Sequence, residues 1–496
     1  MSNPIEQLLS EMGTSRMSPS AYDVAWLARL NDVAPDISNP ALSWLAENQL
    51  EDGSWGSRAP FYYHDRVIST LSAMIALARR GRRTHDRTQI EKGLTALEQI
   101  TANATKGLMA DPNGATIGFE MIVPTLISEA EQLGLIKKQG ESILGRLQHL
   151  RRVKLKKMEG YRINRNVTMA FSAEMAGIDN LELLDVDNLQ EQNGSVGHSP
   201  SATAYFAKYV RVGNEKAINY LKKVISPDGA VPNLYPFEVY EIAWMIWNLA
   251  LTETVSNYKE QYFGKALDYL QATWIPEKGI ALSSGFSVPD GDNTCVTFDL
   301  LSRYGRKANI NGLLAFEEKE YFRCYDLEAD LSSSVNIHAL GALHSAGYES
   351  GHPSVQKVIK FIDSRQLPHG YWFDKWHISP YYTTSHAIIT GSLFNVEFVN
   401  NAMTWILNTQ RPDGSWGFYL PTVEETAYCV QALCILRRQG KRIPSDIIMK
   451  GVKWIRRHQN DPFELFWIGK GLYGGELIIR SVILSALILA EEIVQK

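Results

Sequence analysis

The stretch VPDGDNTCVTF sets Asp290 and Asp292 two residues apart, with Asn293 and Thr294 directly after. Two carboxyls this close in an apolar setting cannot both ionise cheaply. One keeps its proton while the other carries charge or accepts a hydrogen bond, which is the arrangement of a strong general acid. Asp-Gly-Asp-Asn is also a good surface turn, and LDVDN at Leu184 to Asn188 has the same look. The following residues separate the two. After Asp292 comes NTCVTFDLLSRYG, with Phe298, Leu300 and Leu301 at helical spacing, so a carboxyl at its head points into the fold. The other stretch runs into polar LQEQNGS, and Asp185 and Asp187 read as solvated.

A buried acid needs a partner that survives the cation it creates. Aromatic faces stabilise cations without attacking them as nucleophiles. Trp244, Trp247, Phe286, Trp372, Trp376, Tyr381 and Tyr382 gather near Gly and Pro joints. Most are expected in the core and a minority on a pocket wall.

The elements that must position these groups read as helices. DRVISTLSAMIALARR, FEVYEIAWMIWNLAL and EETAYCVQALCILRR carry apolar residues at helical spacing, and alternating β-branched runs are scarce. A degenerate repeat joins them: NQLEDGSWG (Asn48 to Gly56) and TQRPDGSWGF (Thr409 to Phe418), with weaker echoes in EQNGSVG, SPDGAVPN and RQLPHGYWF. Asp-Gly-Ser suits a tight turn with Gly at positive φ, and Gln and Trp can tie that turn to neighbouring helices. Stacked helical hairpins follow, as a solenoid or as α/α-barrels.

The bulk numbers bound the rest. The 496 residues suffice for two or three domains. A formal charge of −4, spread along the chain, gives no case for nucleic acid. The basic run RRVKLKK (Arg151 to Lys157) reads as a solvated helix face, or failing that as an anion-facing one. Cys295, Cys324, Cys429 and Cys434 form no CxxC pair, which suits free buried thiols in a reducing cytoplasm. The N-terminus carries no signal or transit pattern, and VILSALILA is too short to span a bilayer, though it could border an apolar patch.

At these residues the chain resembles the class II diterpene cyclases, whose acid motif reads D-x-D-D-T. SAYDVAWLA (Ser20 to Ala28) is similar to the family's S-x-Y-D-T-A-W segment. IGFEMIVPTL, SPSATAYFA, VPNLYPFEVYEIAW, DKWHISPYYTTSHA and FWIGKGLY follow in the family's order, so the likeness covers nearly the whole chain. It is closest to the short bacterial enzymes that make tuberculosinyl (halimadienyl) or kolavenyl diphosphate. The resemblance implies an all-α pair of α/α-barrels, called β and γ. Residues 1–30 would belong to β, 31–235 would form the inserted γ barrel, and 236–496 the rest of β. No DDxxD motif occurs, so a metal-ionising domain is not expected.

The same resemblance assigns roles. Asp292 would donate the proton and Asp290 would tune it, while Asn293 replaces the usual third Asp and can still hydrogen-bond the acid. Asn233 in VPN matches an Asn that helps a water remove the last proton. Its family partner is a His in L-H-S-L-E-G; here LKKMEG places Lys156 at that position, and a protonated Lys is a poor base. That favours a cation that rearranges before it is quenched. Trp376 and Tyr382 would face cations, and Lys470 in WIGK would hold the diphosphate, with Lys375 and Arg66 as weaker candidates. Asn336 would partner the acid and His338 would pack. Magnesium would come with the diphosphate of geranylgeranyl diphosphate, its protein ligands unassigned. Plain copalyl diphosphate, a farnesyl-derived drimane, a triterpene cyclase and an inert prenyl-binding scaffold remain as alternatives.

Overall fold

A computed structural model describes residues 4–80, 84–102, 111, 114–136, 140–157, 160–256, 259–326, 328 and 330–494. Among them nearly all regular structure is helical, and the two paired strands, Trp467–Ile468 and Leu472–Tyr473, are two residues each.

Two rings of helices organise the chain. In the C-terminal part, Glu238–Leu249, Gly291–Arg303, Ser333–Ser345, Pro380–Gly391, Val423–Arg438 and Glu476–Val494 each pack on the next. The last returns to the first and closes a barrel. The first five of these helices are buried almost all round, as an inner ring must be. Pro353–Ser364, Phe398–Asn408 and Ser445–His458 bury only one stripe each and lie outside that ring. In the N-terminal part, Ala21–Ala28, Tyr63–Arg80, Phe119–Gln132, the 3₁₀ segment Thr168–Ala176 and Pro200–Tyr205 close a second ring in the same manner. Each ring has its own apolar core, one running from Ala21 to Val231 and the other holding Ile5 with Phe237 to Ala490.

The chain crosses between the cores earlier than residue 30. Glu241 accepts the backbone N–H groups of Gly13, Ser15 and Arg16 at 2.8–2.9 Å and ties that segment to the C-terminal ring. Four residues later, Ser20 N–H bonds the Val231 carbonyl at 2.8 Å, and Ala21 to Leu30 pack in the other core. The expected boundary therefore moves to between Arg16 and Ser20.

The repeats brace the hairpins. Gln410 Nε2 donates to Gly414 O at 3.0 Å and to Ile447 O of the next helix at 2.8 Å, and the Trp416 indole donates to Ile406 O. Gln49 with Trp55, and Gln366 with Trp372, repeat the same three bonds. Gly414 sits at φ +96°, and a Cβ there would meet the Lys450 carbonyl at 2.7 Å, so the turn needs glycine.

Candidate active site

Asp290 and Asp292 stand at the head of the helix Gly291–Arg303. Asp290 is the N-cap, with extended backbone, and its carboxylate accepts Asn293 N–H and Asn293 Nδ2–H, both at 2.8 Å. Gly291 N–H bonds the Cys324 carbonyl at 2.8 Å, and a Cβ on Gly291 would lie 2.2 Å from Arg323 O. Glycine is what lets the cap press against that loop. Thr294 Oγ1 accepts Ile280 N–H at 3.0 Å and fixes the entering strand of chain.

These contacts leave Asp292 in the first turn, where it faces a cavity of about 700 Å³ lined from both rings. Asp292 Oδ1 lies 2.5 Å from His338 Nδ1, and its Oδ2 is 3.5 Å from Ser334 Oγ. Ser334 and His338 are four apart on the helix Ser333–Ser345 and share one face. Asp374 orders the head of that helix by accepting Ser332 Oγ–H, Ser334 N–H and Ser334 Oγ–H at 2.9–3.0 Å. It also accepts Trp376 N–H at 3.0 Å and so sets that indole on the wall. Burial lifts the Asp290 carboxyl to about 7, with the neighbouring Asp292 carboxyl adding to it, against the opposing pull of the Asn293 hydrogen bonds.

The wall is aromatic. Tyr240 and Trp244 stand four apart on Glu238–Leu249 with ring centroids 4.5 Å apart, and Trp467 meets Tyr240 edge-on at 5.7 Å. Trp244 also meets His338 edge-on at 5.6 Å, so the ring wall begins at the acid's own partner. The Trp376 indole N–H, Thr116 Oγ1 and Asn293 Oδ1 are buried on this wall without a protein partner.

The structure brings Asp290, Asp292, Asn293, Asn233 and Trp376 to the cavity and moves four other candidates away. Lys470 is fully buried: Nζ donates to Glu174 Oε1 at 2.5 Å and to Ser199 and Ser201 Oγ at 2.7 Å, while its N–H goes to Asn233 Oδ1 at 3.2 Å. All three ammonium hydrogens are taken, so it holds the rings together rather than a diphosphate. Asn233 Nδ2 in turn donates to Asp23 Oδ2 at 2.8 Å. Tyr382 lies behind the wall, where its hydroxyl accepts the Trp244 indole N–H at 3.1 Å. Asn336 is committed to the Phe322 backbone and Ser332 O at 2.8–3.0 Å, and His338 takes the role expected of it. The two are two residues apart on one helix and so face different ways. Lys156 is exposed, and the lysine of that helix on the cavity wall is Lys154, paired with Glu120. Of the weaker diphosphate candidates, Arg66 is held by Asp52 and Ser57 O off the cavity, and Lys375 lines it but pairs with Glu328. The other acidic stretch is surface, with Asp187 exposed and paired with Arg211.

Among the described residues no group of three or more His, Cys, Asp or Glu is set to hold a metal ion. Four of the wall carboxylates have protein partners: Glu120 pairs with Lys154, Glu328 with Lys375, Asp326 with Arg323, and Asp374 accepts from the serines. The residues present do not fit a resident magnesium. No helix of the described residues is long and apolar enough to cross a membrane, and all four cysteines are free and buried.

A closed pair of helical barrels with a buried, histidine-backed Asp facing an aromatic cavity defines a protonation-initiated, class II terpene cyclase. The squalene-hopene cyclase C-terminal domain family matches residues 325–429. A type B diterpene cyclase of Mycobacterium tuberculosis is 45% identical over 482 residues, 96% of each chain. Copalyl diphosphate synthase 2 of Selaginella moellendorffii is 31% identical over 384 residues, 76% of this chain and 50% of that one. The ent-copalyl diphosphate synthase structure from Streptomyces platensis superposes with a TM-score of 0.79 at 28% identity, covering 98% and 99% of the two chains. The chain belongs to the class II diterpene cyclases, in the family of the type B diterpene cyclase.

Two outcomes follow from this geometry. Lys470→Ala leaves Glu174 buried without its counter-charge and should destabilise the fold by about 3–5 kcal/mol. Lys470→Met combined with Glu174→Gln should recover most of that in denaturant melts, while KM stays at the parent value. A rise in KM without a stability loss would return Lys470 to the diphosphate. Asp290, with its raised value of about 7, holds a proton in the folded state that the unfolded chain has released above about pH 4. Its contribution is therefore most favourable at low pH and is lost as pH rises through 7. Asp290→Asn keeps a capping side chain. It should gain on the parent in thermal melts as pH goes from 5 to 8, by on the order of 1–3 kcal/mol; a gap that narrows would contradict the raised value.

Proposed function

We propose that the protein cyclises geranylgeranyl diphosphate to a rearranged bicyclic diphosphate of halimadane or clerodane type, such as tuberculosinyl or kolavenyl diphosphate. The observation that carries this reading is Asp292, backed by His338, opening onto an aromatic cavity between the two barrels. Asp292 transfers its hydrogen to the terminal alkene. A C–H bond forms, the O–H bond breaks, and a carboxylate remains. The next alkenes attack in turn and close a decalin while the diphosphate stays attached. The cavity holds the chain folded and excludes water until the last step. Tyr240, Trp244, Trp376 and Trp467 present ring faces to the migrating charge.

The two ends of the substrate belong at opposite ends of the cavity, because the protonated alkene lies at the far end of the chain from the diphosphate. Lys375 and Arg365 accompany Asp374, close to the acid. Lys154, paired with Glu120, lies on the part of the wall that comes from the N-terminal ring, away from the acid's helix, and is the cation suited to the diphosphate. Magnesium enters as the counter-ion of that diphosphate. Termination supports rearrangement: Asn233 gives its amide hydrogen to Asp23 and its oxygen to Lys470 N–H, and an amide so engaged is no base for a quick proton loss. Hydride and methyl shifts then have time to run.

Incubation with geranylgeranyl diphosphate and magnesium, dephosphorylation, and identification of the alcohol by mass spectrometry and NMR tests this directly. A rearranged bicyclic alcohol is expected, with Asp292→Asn slower by at least about a thousandfold. Copalol would remove the termination argument, and turnover of farnesyl diphosphate alone would change the substrate. Lys154→Met should raise KM about tenfold with the product pattern unchanged, equivalent to about 1.4 kcal/mol of binding; an unchanged KM would place the diphosphate elsewhere.

A further inference from the structure

Behind the acid's partner stands a second histidine. His338 Nε2 lies 2.8 Å from His386 Nδ1, so Asp292, His338 and His386 form one hydrogen-bonded row. His386 comes from the helix Pro380–Gly391, is buried, and does not line the cavity. Its ring stacks on Trp247 at 4.4 Å and lies against Tyr382 and Tyr428 at 4.3 and 5.7 Å. Its remaining nitrogen, Nε2, is buried with no hydrogen-bond partner. Of the tyrosines packed on its ring, Tyr428 donates its hydroxyl to Glu424 Oε1 and Tyr382 accepts the Trp244 N–H.

We propose that His386 is a positioning residue that sets which nitrogen of His338 carries its hydrogen, and through it which oxygen of Asp292 carries the acidic one. Burial, with smaller electrostatic contributions from His338 and His377, pushes His386 well down, so its ring is neutral and bears a single N–H. An orphaned buried N–H is rarer than an orphaned acceptor. The partnerless Nε2 is therefore the bare lone pair, and Nδ1 carries the hydrogen. His386 Nδ1–H then donates to His338 Nε2, which leaves His338 with its hydrogen on Nδ1, donated to Asp292 Oδ1. Oδ1 is held as the acceptor, and the acidic hydrogen of Asp292 sits on Oδ2. With the opposite tautomer of His338, the bare Nδ1 would draw that hydrogen onto Oδ1 and turn it away from the alkene.

This inference rests on Asp292 being the acid, and a set of variants separates the two ideas. In His386→Asn the amide nitrogen occupies nearly the place of Nδ1 and can donate; in His386→Gln it occupies that of Nε2 and cannot. His386→Phe keeps the stacking and donates nothing. With geranylgeranyl diphosphate, kcat should fall at least tenfold in the Gln and Phe variants at unchanged KM and unchanged product ratio, and recover to within about threefold of the parent in the Asn variant. Equal rates for Asn and Gln, or a parent-like rate for Phe, would overturn the role of His386. Asp292→Asn is run alongside: turnover there would remove the acid assignment itself, whereas an inactive Asp292→Asn with a parent-like His386→Phe removes only the His386 step.

Discussion

The contact on which the rest of the site depends is the 2.5 Å pair between Asp292 Oδ1 and His338 Nδ1. A carboxylic acid strong enough to protonate an alkene has to be kept from water, yet supported when it becomes a carboxylate. Desolvation alone would hold the proton too tightly. A hydrogen bond from an imidazole to the oxygen that does not react stabilises the anion without filling the cavity. Two helices must bring these side chains together to a fraction of an ångström. Gly291 lets one helix head press on the Arg323 carbonyl, and Asp374 fixes the head of the other through two serines.

The cavity in front of that pair exists only because two barrels are locked face to face. Lys470, on the loop between the two short strands, reaches into the N-terminal ring to Glu174, Ser199 and Ser201, residues 269–296 positions away. An ion pair this deep is a weak source of net stability, because both charges lose their water. It is a strong source of registry, since any shift of one barrel against the other strands a buried charge. Asn233, on the cavity wall, is held by the same cluster through Asp23 and the Lys470 backbone. The position of that wall amide is thus set by the interface and not by the acid.

Local patterns carried most of the fold. Helical periodicity, the Asp-Gly-Ser turns and the Gln and Trp anchors were all legible, and even the weak echo RQLPHGYWF makes the full set of bonds. The burial of Asp290 and Asp292 was legible too, because an apolar helix follows them. What failed was orientation. Asn336 and His338, or Lys154 and Lys156, differ by two positions on a helix, and only the phase of that helix against its neighbours says which one meets the cavity. The phase was partly recoverable, since Ser334 and His338 form a one-face pair that Asn336 breaks. Lys470 failed for a different reason. A lysine after a Gly and before a Gly gives no local sign that three partners from a distant ring will enclose it. Tyr382 was placed on the wall because it is aromatic near a Pro joint, but the ring it supports, Trp244, takes the wall position.

These misplacements share a physical logic that bears on how the enzyme divides its labour. Several groups with strong, directional polar chemistry are held behind the wall by protein partners: Lys470, Tyr382, Asn336 and Glu424. The wall carries the rings of Tyr240, Trp244, Trp376 and Trp467, and its charged residues include the pairs Lys154–Glu120 and Lys375–Glu328. A carbocation reacts with whatever lone pair it can reach, so a site that must let the charge travel cannot leave such groups in contact with it. The acid stands where the reaction starts. Under this arrangement the skeleton formed is decided by where the inert wall first yields to a group able to take a proton, and the acid decides only that the reaction begins.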